Sequence, residues 1–233
     1  MLVPGFTQTA ASWRGVLDAL RDPMDTITFD KVPVRATFEA TALAIGDHAG
    51  PGVYVGYSMG GRLCLRLALD RPDLVQALVL VSASPGLGAA AERTDRIAGD
   101  DALARRLEAD GVDAFLQTWV AQPMFATIPA DAPGIDDRRR LSTSYLAACL
   151  RVLGTGAMEP LWDRLPELGM PALLVTGTRD EKFDGIATAM LDGLPDTARH
   201  VRLDGGHALP LEQPAGLGAV VAEFARVHGS AHG

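Results

Sequence analysis

A serine lies between two glycines in the stretch Gly56-Tyr57-Ser58-Met59-Gly60, which has the spacing G-x-S-x-G. A short β-branched and aromatic run precedes it and a helical pattern follows it, so the sequence predicts a strand-to-helix turn. A nucleophile on such a turn has its oxygen exposed, and small residues flank it because strand and helix approach closely there. A glycine-serine loop that caps a helix would share this spacing, but the strand-turn-helix context favours Ser58 as the reactive group.

Two further residues complete a serine triad in the chain order expected after such a turn. A serine hydroxyl is a weak nucleophile at neutral pH, so it needs a base within hydrogen-bond reach, and the imidazole needs a carboxylate that fixes its tautomer. Asp180 and His207 are the candidates, with Glu181 and Asp184 as rival acids. The other four histidines fall in predicted helices, a predicted strand or the tail. The sequence therefore predicts a triad of Ser58, Asp180 and His207.

Backbone N–H groups near the serine could stabilise an oxyanion. The N–H of Met59 follows the serine at a helix N-terminus, and the N–H of Phe6 lies in the loop after the first predicted strand. A simple tight turn at residues 4–6 is the alternative for Phe6. We expect Phe6 and Met59 to form the oxyanion hole.

The elements that must position these residues alternate between strand and helix. Strands are predicted at the N-terminus, at 26–29, before Ser58, and at 76–82, 172–177 and 199–203, with helices at 10–20, 37–48, 184–194 and 214–227. Such alternation predicts an α/β fold with a mostly parallel sheet flanked by helices, in which ligands bind at the carboxyl ends of the strands. Every candidate above follows a strand.

The alternation stops between residues 83 and 166, where helical periodicity is found at 100–109, 112–120 and 142–153. A helical insertion explains this segment better than a long loop, which compact domains rarely contain. We therefore predict a core made of residues 1–82 and 167–233 and a helical cap insertion over 83–166.

Composition excludes several classes of function. The 21 Lys and Arg against 29 Asp and Glu give a net charge of −8, which argues against nucleic acid as a partner. No apolar run approaches the ~20 residues that span a bilayer, and the N-terminus lacks the pattern of a secretory signal, so we expect no membrane contact and a cytoplasmic location. Two isolated cysteines, Cys64 and Cys149, favour core thiols over a disulfide or zinc site. We expect no metal and no cofactor, and a monomer or homodimer.

Several motifs carry a resemblance to a known family. Residues 2–6, 56–62, 177–183 and 206–207 together resemble the α/β-hydrolase fold superfamily. Within it, the cap segments 91–93, 119–125 and 150–156 are similar to those of the 2-succinyl-6-hydroxy-2,4-cyclohexadiene-1-carboxylate synthases of menaquinone biosynthesis. The likeness covers nearly the whole chain. Pro4 stands where the family usually has histidine, a cap glutamine is replaced near residues 87–88, and the N-terminal strands of the fold are expected to be missing.

The resemblance implies a lyase in which the triad serine acts as a base, removing a ring proton so that pyruvate is eliminated without an acyl-enzyme. It implies a small anionic substrate, which guanidinium groups would recognise through its carboxylates. The positions matching substrate contacts in the family are Tyr57, Arg62, Arg93, Trp119 and Lys182. A further family arginine falls among Arg138, Arg139 and Arg140, and the sequence leaves open which of them, if any, binds substrate.

Two other classes of function remain open at this point. The same triad could serve a carboxylesterase or another small-molecule hydrolase through an acyl-serine intermediate. A binding module that kept the fold without catalysis is the third class, although it leaves the ordered triad without a purpose.

Overall fold

The computed structural model describes residues 1–20, 25–132, 134 and 136–229. Its sheet has five strands that lie side by side in chain order, and every neighbouring pair is parallel. The strands are β1 (Leu2–Val3), β2 (Gly52–Tyr57), β3 (Val75–Val81), β4 (Ala172–Gly177) and β5 (Arg199–Leu203). The predicted parallel sheet flanked by helices is confirmed.

The strand predicted over residues 26–29 is wrong as an element. Only Thr28 pairs, in an isolated parallel bridge with Leu2. The N–H of Leu2 donates to the carbonyl of Ile27 at 2.8 Å, and the N–H of Phe29 donates to the carbonyl of Leu2 at 3.3 Å. Because β1 is only two residues long, it has few backbone groups with which this segment could form strand hydrogen bonds.

Eight α-helices connect and cover these strands in the described part of the chain. They are α1 (Arg14–Ala19), α2 (Phe38–Ala49), α3 (Met59–Asp70), α4 (Ala90–Val120), α5 (Thr143–Leu153), α6 (Glu181–Leu191), α7 (Leu209–Glu212) and α8 (Pro214–His228). The helix predicted over 10–20 opens instead as a 3-10 turn, Ala10–Trp13, and the helix predicted over 184–194 begins three residues earlier. Helix α7 was not predicted, because a single turn has no measurable periodicity.

The segment predicted as a cap contains α4 and α5, which pack against each other. Where the sequence predicts two helices, α4 runs from Ala90 to Val120 with one break, at Gly111, whose φ of 82° and ψ of 172° are not helical. Leu107, Phe115 and Leu146 belong to a buried apolar cluster of these helices. The cap boundaries at 83 and 166 stay a prediction.

The sheet is covered by apolar side chains on both faces. Along β3, Leu78 and Leu80 join the cluster formed with α2 and α3, whereas Ala77, Val79 and Val81 join the cluster formed with α1 and α8. A strand buried on both faces has no polar side, which explains the continuous apolar run in its sequence. None of the helices in the described ranges is long and apolar enough to cross a membrane.

Candidate active site

The turn between β2 and α3 places Ser58 in an unusual backbone conformation. Its φ is 51° and its ψ is −109°, a region that few non-glycine residues adopt and that tends to occur at functional sites. Its N–H donates to the carbonyl of Val81 at 2.9 Å. A Cβ on Gly60 would lie 2.2 Å from the carbonyl oxygen of Val3, and one on Gly56 would lie 2.5 Å from that of Gly60. The glycines of the motif therefore permit the close approach that creates the turn.

The structure brings the three triad candidates into one hydrogen-bonded chain. Asp180 follows β4 and His207 follows β5, so both lie at the same edge of the sheet as Ser58. The Nδ1 of His207 lies 2.7 Å from Oδ2 of Asp180, and its Nε2 lies 3.2 Å from Oγ of Ser58. His207 is only 2% exposed. In this geometry the serine proton can pass to an imidazole that the carboxylate orients.

The rival acids do not reach His207. Asp184 instead accepts hydrogen bonds from Thr176 at 3.1 Å and from Nε of Arg202 at 2.5 Å. The guanidinium of Arg202 lowers the pKa of the Asp184 carboxyl. Glu181 is exposed at the start of α6.

The two predicted oxyanion amides lie beside the serine. Phe6 and Met59 both line the cavity that contains Ser58. The first N–H groups of a helix have no acceptor within that helix, so the N–H of Met59 is available to a ligand. The N–H of Phe6 donates to no acceptor among the residues that the structure describes. Their role in stabilising an oxyanion stays a prediction.

The triad opens into a cavity of about 610 Å³ between the carboxyl ends of the strands and the helices α4 and α5. Four of the five predicted substrate-contacting residues line it: Tyr57, Arg62, Trp119 and Lys182. Arg93 does not, and its Nη1 instead donates to the carbonyl of Gly88 at 3.4 Å near the surface. The structure thus does not bring Arg93 to the triad, because its guanidinium contacts the backbone at Gly88 instead.

Arg96, three residues further along α4, lines the cavity instead. Both carboxylate oxygens of Asp100 lie 2.9 Å from its Nε. Asp100 is buried, and this burial raises the pKa of its carboxyl. The sequence offered no signal that would single out Asp100 from the other acids of α4.

Arg62 is buried at the inner wall of the cavity. Its Nη2 donates to the carbonyl of Leu153 at 2.8 Å, at the end of α5, and its Nη1 lies 3.5 Å from the sulfur of Met158. Burial lowers the pKa of Arg62 to about 10. Arg62 therefore ties α3 to α5 as well as facing the cavity.

Of the three consecutive arginines, Arg138 lines the cavity. It is 2% exposed, its Nη1 donates to Oγ1 of Thr7 at 3.3 Å, and its Nη2 has no hydrogen-bond partner among the described residues. Burial lowers its pKa. The side chains of Arg139 and Arg140 are 61% and 83% exposed and form ion pairs with neighbouring aspartates. Packing thus places Arg138 at the cavity and the other two arginines at the surface, while a substrate contact by any of the three stays a prediction.

Aromatic rings surround the imidazole of His207. The ring centroids of Phe183 and Tyr57 lie 4.5 and 5.4 Å from that of His207. Burial raises the pKa of Tyr57, which keeps its hydroxyl neutral. The Nζ of Lys182 lies 5.6 Å from the centroid of Phe183, at the rim of the same cavity. The imidazole of His207 is therefore packed against aromatic rings.

A carboxylate missed by the sequence analysis holds the loop that carries His207. Oε2 of Glu212 accepts from the N–H of Gly206 at 2.6 Å, and its Oε1 accepts from the N–H of Ala208 at 2.8 Å. One carboxylate therefore binds the backbone on both sides of His207. No motif recognised in the sequence marked Glu212, because its role depends on the fold of α7.

Comparison with known proteins identifies the class. Residues 48–214 match the model of the α/β-hydrolase fold family. The chain belongs to this family, and the predicted fold is confirmed. The described residues include no group of three or more His, Cys, Asp or Glu that could hold a metal ion.

Several proteins similar to this chain carry related names. The chain is 38% identical over 175 residues to a Bacillus subtilis protein named "Putative 2-succinyl-6-hydroxy-2,4-cyclohexadiene-1-carboxylate synthase", and the match covers 73% of this chain and 64% of that protein. It is 31% identical over 174 residues to the Serratia proteamaculans synthase of that name, covering 73% and 66% of the two chains. The chain thus matches slightly under two thirds of these relatives' lengths. The structure of MenH from S. aureus, 27% identical, superposes with a TM-score of 0.88 over 97% of this chain and 92% of that one.

Proposed function

We propose that this protein is a carbon-oxygen lyase that eliminates pyruvate from a succinyl-bearing cyclohexene carboxylate, giving 2-succinyl-6-hydroxy-2,4-cyclohexadiene-1-carboxylate. The observation that carries the proposal is the Ser58–His207–Asp180 chain at the base of a cavity with a buried, unpaired arginine, Arg138. The names of the Bacillus and Serratia relatives support the same reaction.

The triad geometry supports proton abstraction by the serine. As the proton of Ser58 Oγ passes to Nε2 of His207, the serine oxygen takes the ring proton next to the succinyl carbonyl. The electrons of the broken C–H bond form a ring double bond, the existing double bond shifts, and the C–O bond to the pyruvyl group breaks. The departing enolate takes the proton from His207 and becomes pyruvate. Serine and imidazole thus return to their starting states.

Negative charge develops on the succinyl carbonyl oxygen as the ring proton leaves. The N–H groups of Phe6 and Met59 are the donors that would stabilise it, since fixed amides at a buried site cost no reorganisation during the reaction. Asp180 would stabilise the imidazolium while His207 holds the proton.

Cationic side chains on the cavity suit a substrate with several carboxylates. The chain as a whole is acidic, yet Arg62, Arg96, Arg138 and Lys182 all line this cavity. A buried guanidinium without an anionic partner is costly, and a ligand carboxylate would offset that cost. Arg138 is the arginine that meets this condition most clearly, because its Nη2 has no partner in the part of the chain that the structure describes.

The proposal is tested by following pyruvate release from the succinyl substrate. For Ser58→Ala we expect kcat to fall about 10²- to 10⁴-fold with little change in KM, because a general base contributes on that order. The exposed Ser144→Ala is the matched control and should retain full activity. A wild-type protein that releases no pyruvate would exclude the lyase, and full turnover by Ser58→Ala would exclude the serine as base.

A hydrolase using an acyl-serine intermediate is the alternative that the same triad supports. It predicts a rapid burst of nitrophenol from simple nitrophenyl esters and no turnover of the succinyl substrate. The lyase predicts pyruvate release without any covalent adduct on the serine. Mass spectrometry of the enzyme during turnover would detect such an adduct if it formed.

A further inference from the structure

Three residues at the cavity carry buried polar atoms that no described residue satisfies. Oε1 of Gln8, Nη2 of Arg138 and Nε1 of Trp119 are buried and have no hydrogen-bond partner within residues 1–20, 25–132, 134 and 136–229. All three residues line the cavity that contains Ser58. Gln8 is 3% exposed and Arg138 is 2% exposed. Buried polar groups are normally paired, so these atoms indicate a ligand or ordered water.

The loop after β1 contacts Trp119 and Arg138 and also carries Gln8. The ring centroid of Phe6 lies 4.9 Å from that of Trp119, and Oγ1 of Thr7 accepts from Nη1 of Arg138 at 3.3 Å. Gln8 is the next residue of the same loop. Thr7 has a φ of 65°, a left-handed conformation that is rare outside glycine and that tends to occur at functional sites.

The hydrogen-bonding types of these atoms restrict what can bind. Arginine and tryptophan nitrogens only donate, so they suit a carboxylate. The Oε1 of Gln8 only accepts, and a carboxylate cannot satisfy it. A ligand that pairs with all three must therefore carry a carboxylate and a hydroxyl or N–H donor close to it.

We propose that Gln8 is a specificity-determining residue, accepting a hydrogen bond from a hydroxyl adjacent to the carboxylate that Arg138 and Trp119 bind. Assigning this hydroxyl to the substrate rests on the proposed function. There, the ring carries its hydroxyl on carbon 6, beside the carboxylate on carbon 1. The hydroxyl would then fix the orientation in which the ring faces Ser58.

The test compares three small acids as probes by calorimetry: the two diastereomers of 2-hydroxycyclohexane-1-carboxylate, and plain cyclohexanecarboxylate. We expect the wild-type protein to bind one hydroxy acid about tenfold more tightly than the plain acid, since one hydrogen bond to a buried acceptor contributes on that order. Gln8→Met should remove this preference while leaving the affinity for cyclohexanecarboxylate unchanged. Arg138→Met should weaken all three probes. The exposed Gln117→Met is the control and should behave as wild type.

Two results would overturn the inference. One is a wild-type protein that binds neither hydroxy acid more tightly than cyclohexanecarboxylate. The other is a Gln8→Met variant that keeps the wild-type preference for a hydroxy acid. Either would mean that water satisfies Oε1 of Gln8. The comparison of the acids on the wild-type protein does not depend on the folding of any variant. Binding to the wild-type protein and to Gln8→Met can both be measured without turnover. A failure of pyruvate elimination would therefore leave the hydroxyl preference separately measurable.

Discussion

Three consecutive arginines, Arg138, Arg139 and Arg140, have the same side chain and very different environments. The first is buried and its Nη2 has no partner within the described ranges, whereas the other two form ion pairs at the surface. Surface ion pairs contribute little to stability, whereas a buried unpaired guanidinium is costly unless something binds it. At the scale of single residues, the unpaired guanidinium nitrogen of Arg138 thus indicates a position where a ligand would bind.

Arg138→Met should separate activity from stability. We expect kcat/KM for pyruvate release to fall about 10- to 100-fold, on the scale of a lost charged hydrogen bond. The thermal midpoint should stay the same or rise, because an unpaired buried charge is replaced by an apolar side chain of similar length. Steady-state kinetics and thermal unfolding measure the two effects.

Arg139→Met is the matched control and should change neither quantity. Equal losses of kcat/KM in both variants would show that the burial of Arg138 has no functional meaning.

At the scale of elements, the loop between β5 and α7 is fixed by hydrogen bonds to a side chain of α7, the helix that follows it. Glu212 of α7 accepts from the N–H groups of Gly206 and Ala208, so the backbone on both sides of His207 is fixed by one side chain. The loop has no regular secondary structure that would otherwise set the direction of the imidazole. Glu212 is therefore expected to act through His207 as a positioning residue.

Glu212→Gln tests this expectation. An amide oxygen can replace one acceptor, but its NH₂ group would face the other N–H and leave a donor unpaired. We expect kcat to fall about tenfold with KM nearly unchanged, and the protein to lose about 1–3 kcal/mol of stability.

Steady-state kinetics would report the division between kcat and KM, and chemical denaturation would report stability. The exposed Glu223→Gln on α8 is the control. A loss of stability with kcat unchanged would assign Glu212 a purely structural role.

At the scale of the whole molecule, the parallel sheet gathers residues from distant parts of the chain. Ser58, Asp180 and His207 follow β2, β4 and β5, and the carboxyl ends of these strands share one edge. A second group joins β4, β5 and α6 below the site. There, Nε2 of His200 lies 2.6 Å from Oγ1 of Thr176, close to the ion pair of Asp184 with Arg202.

This second group predicts a pH dependence of stability. Burial, with the nearby Arg202, lowers the pKa of His200 below its ordinary value of 6.5. As the pH falls below 6.5, the unfolded chain therefore binds a proton before the folded protein does, so the free energy of unfolding falls with pH. His200→Gln should reduce the drop in thermal midpoint between about pH 7.5 and about pH 5.5.

The exposed His48→Gln is the control and should retain the wild-type drop. An unchanged drop in His200→Gln would show that this histidine does not link folding to protonation in this range.

The sequence by itself determined the features that depend on local geometry. The turn at Ser58 requires glycine at Gly56 and Gly60 because backbone atoms would clash with a Cβ, and this constraint is written in adjacent residues. The strand β3 shows as a continuous apolar run because both of its faces are buried. The order of Ser58, Asp180 and His207 then predicted the triad.

Only the tertiary structure decided which polar side chains face the cavity. Arg138 contacts Thr7 across 131 positions of the chain, and Arg96 lines the cavity whereas Arg93 does not. Burial and hydrogen bonding depend on contacts between residues far apart in sequence, so consecutive arginines look alike in the sequence. For this reason the sequence predicted the serine of the triad, while packing determined which arginines line the cavity beside it.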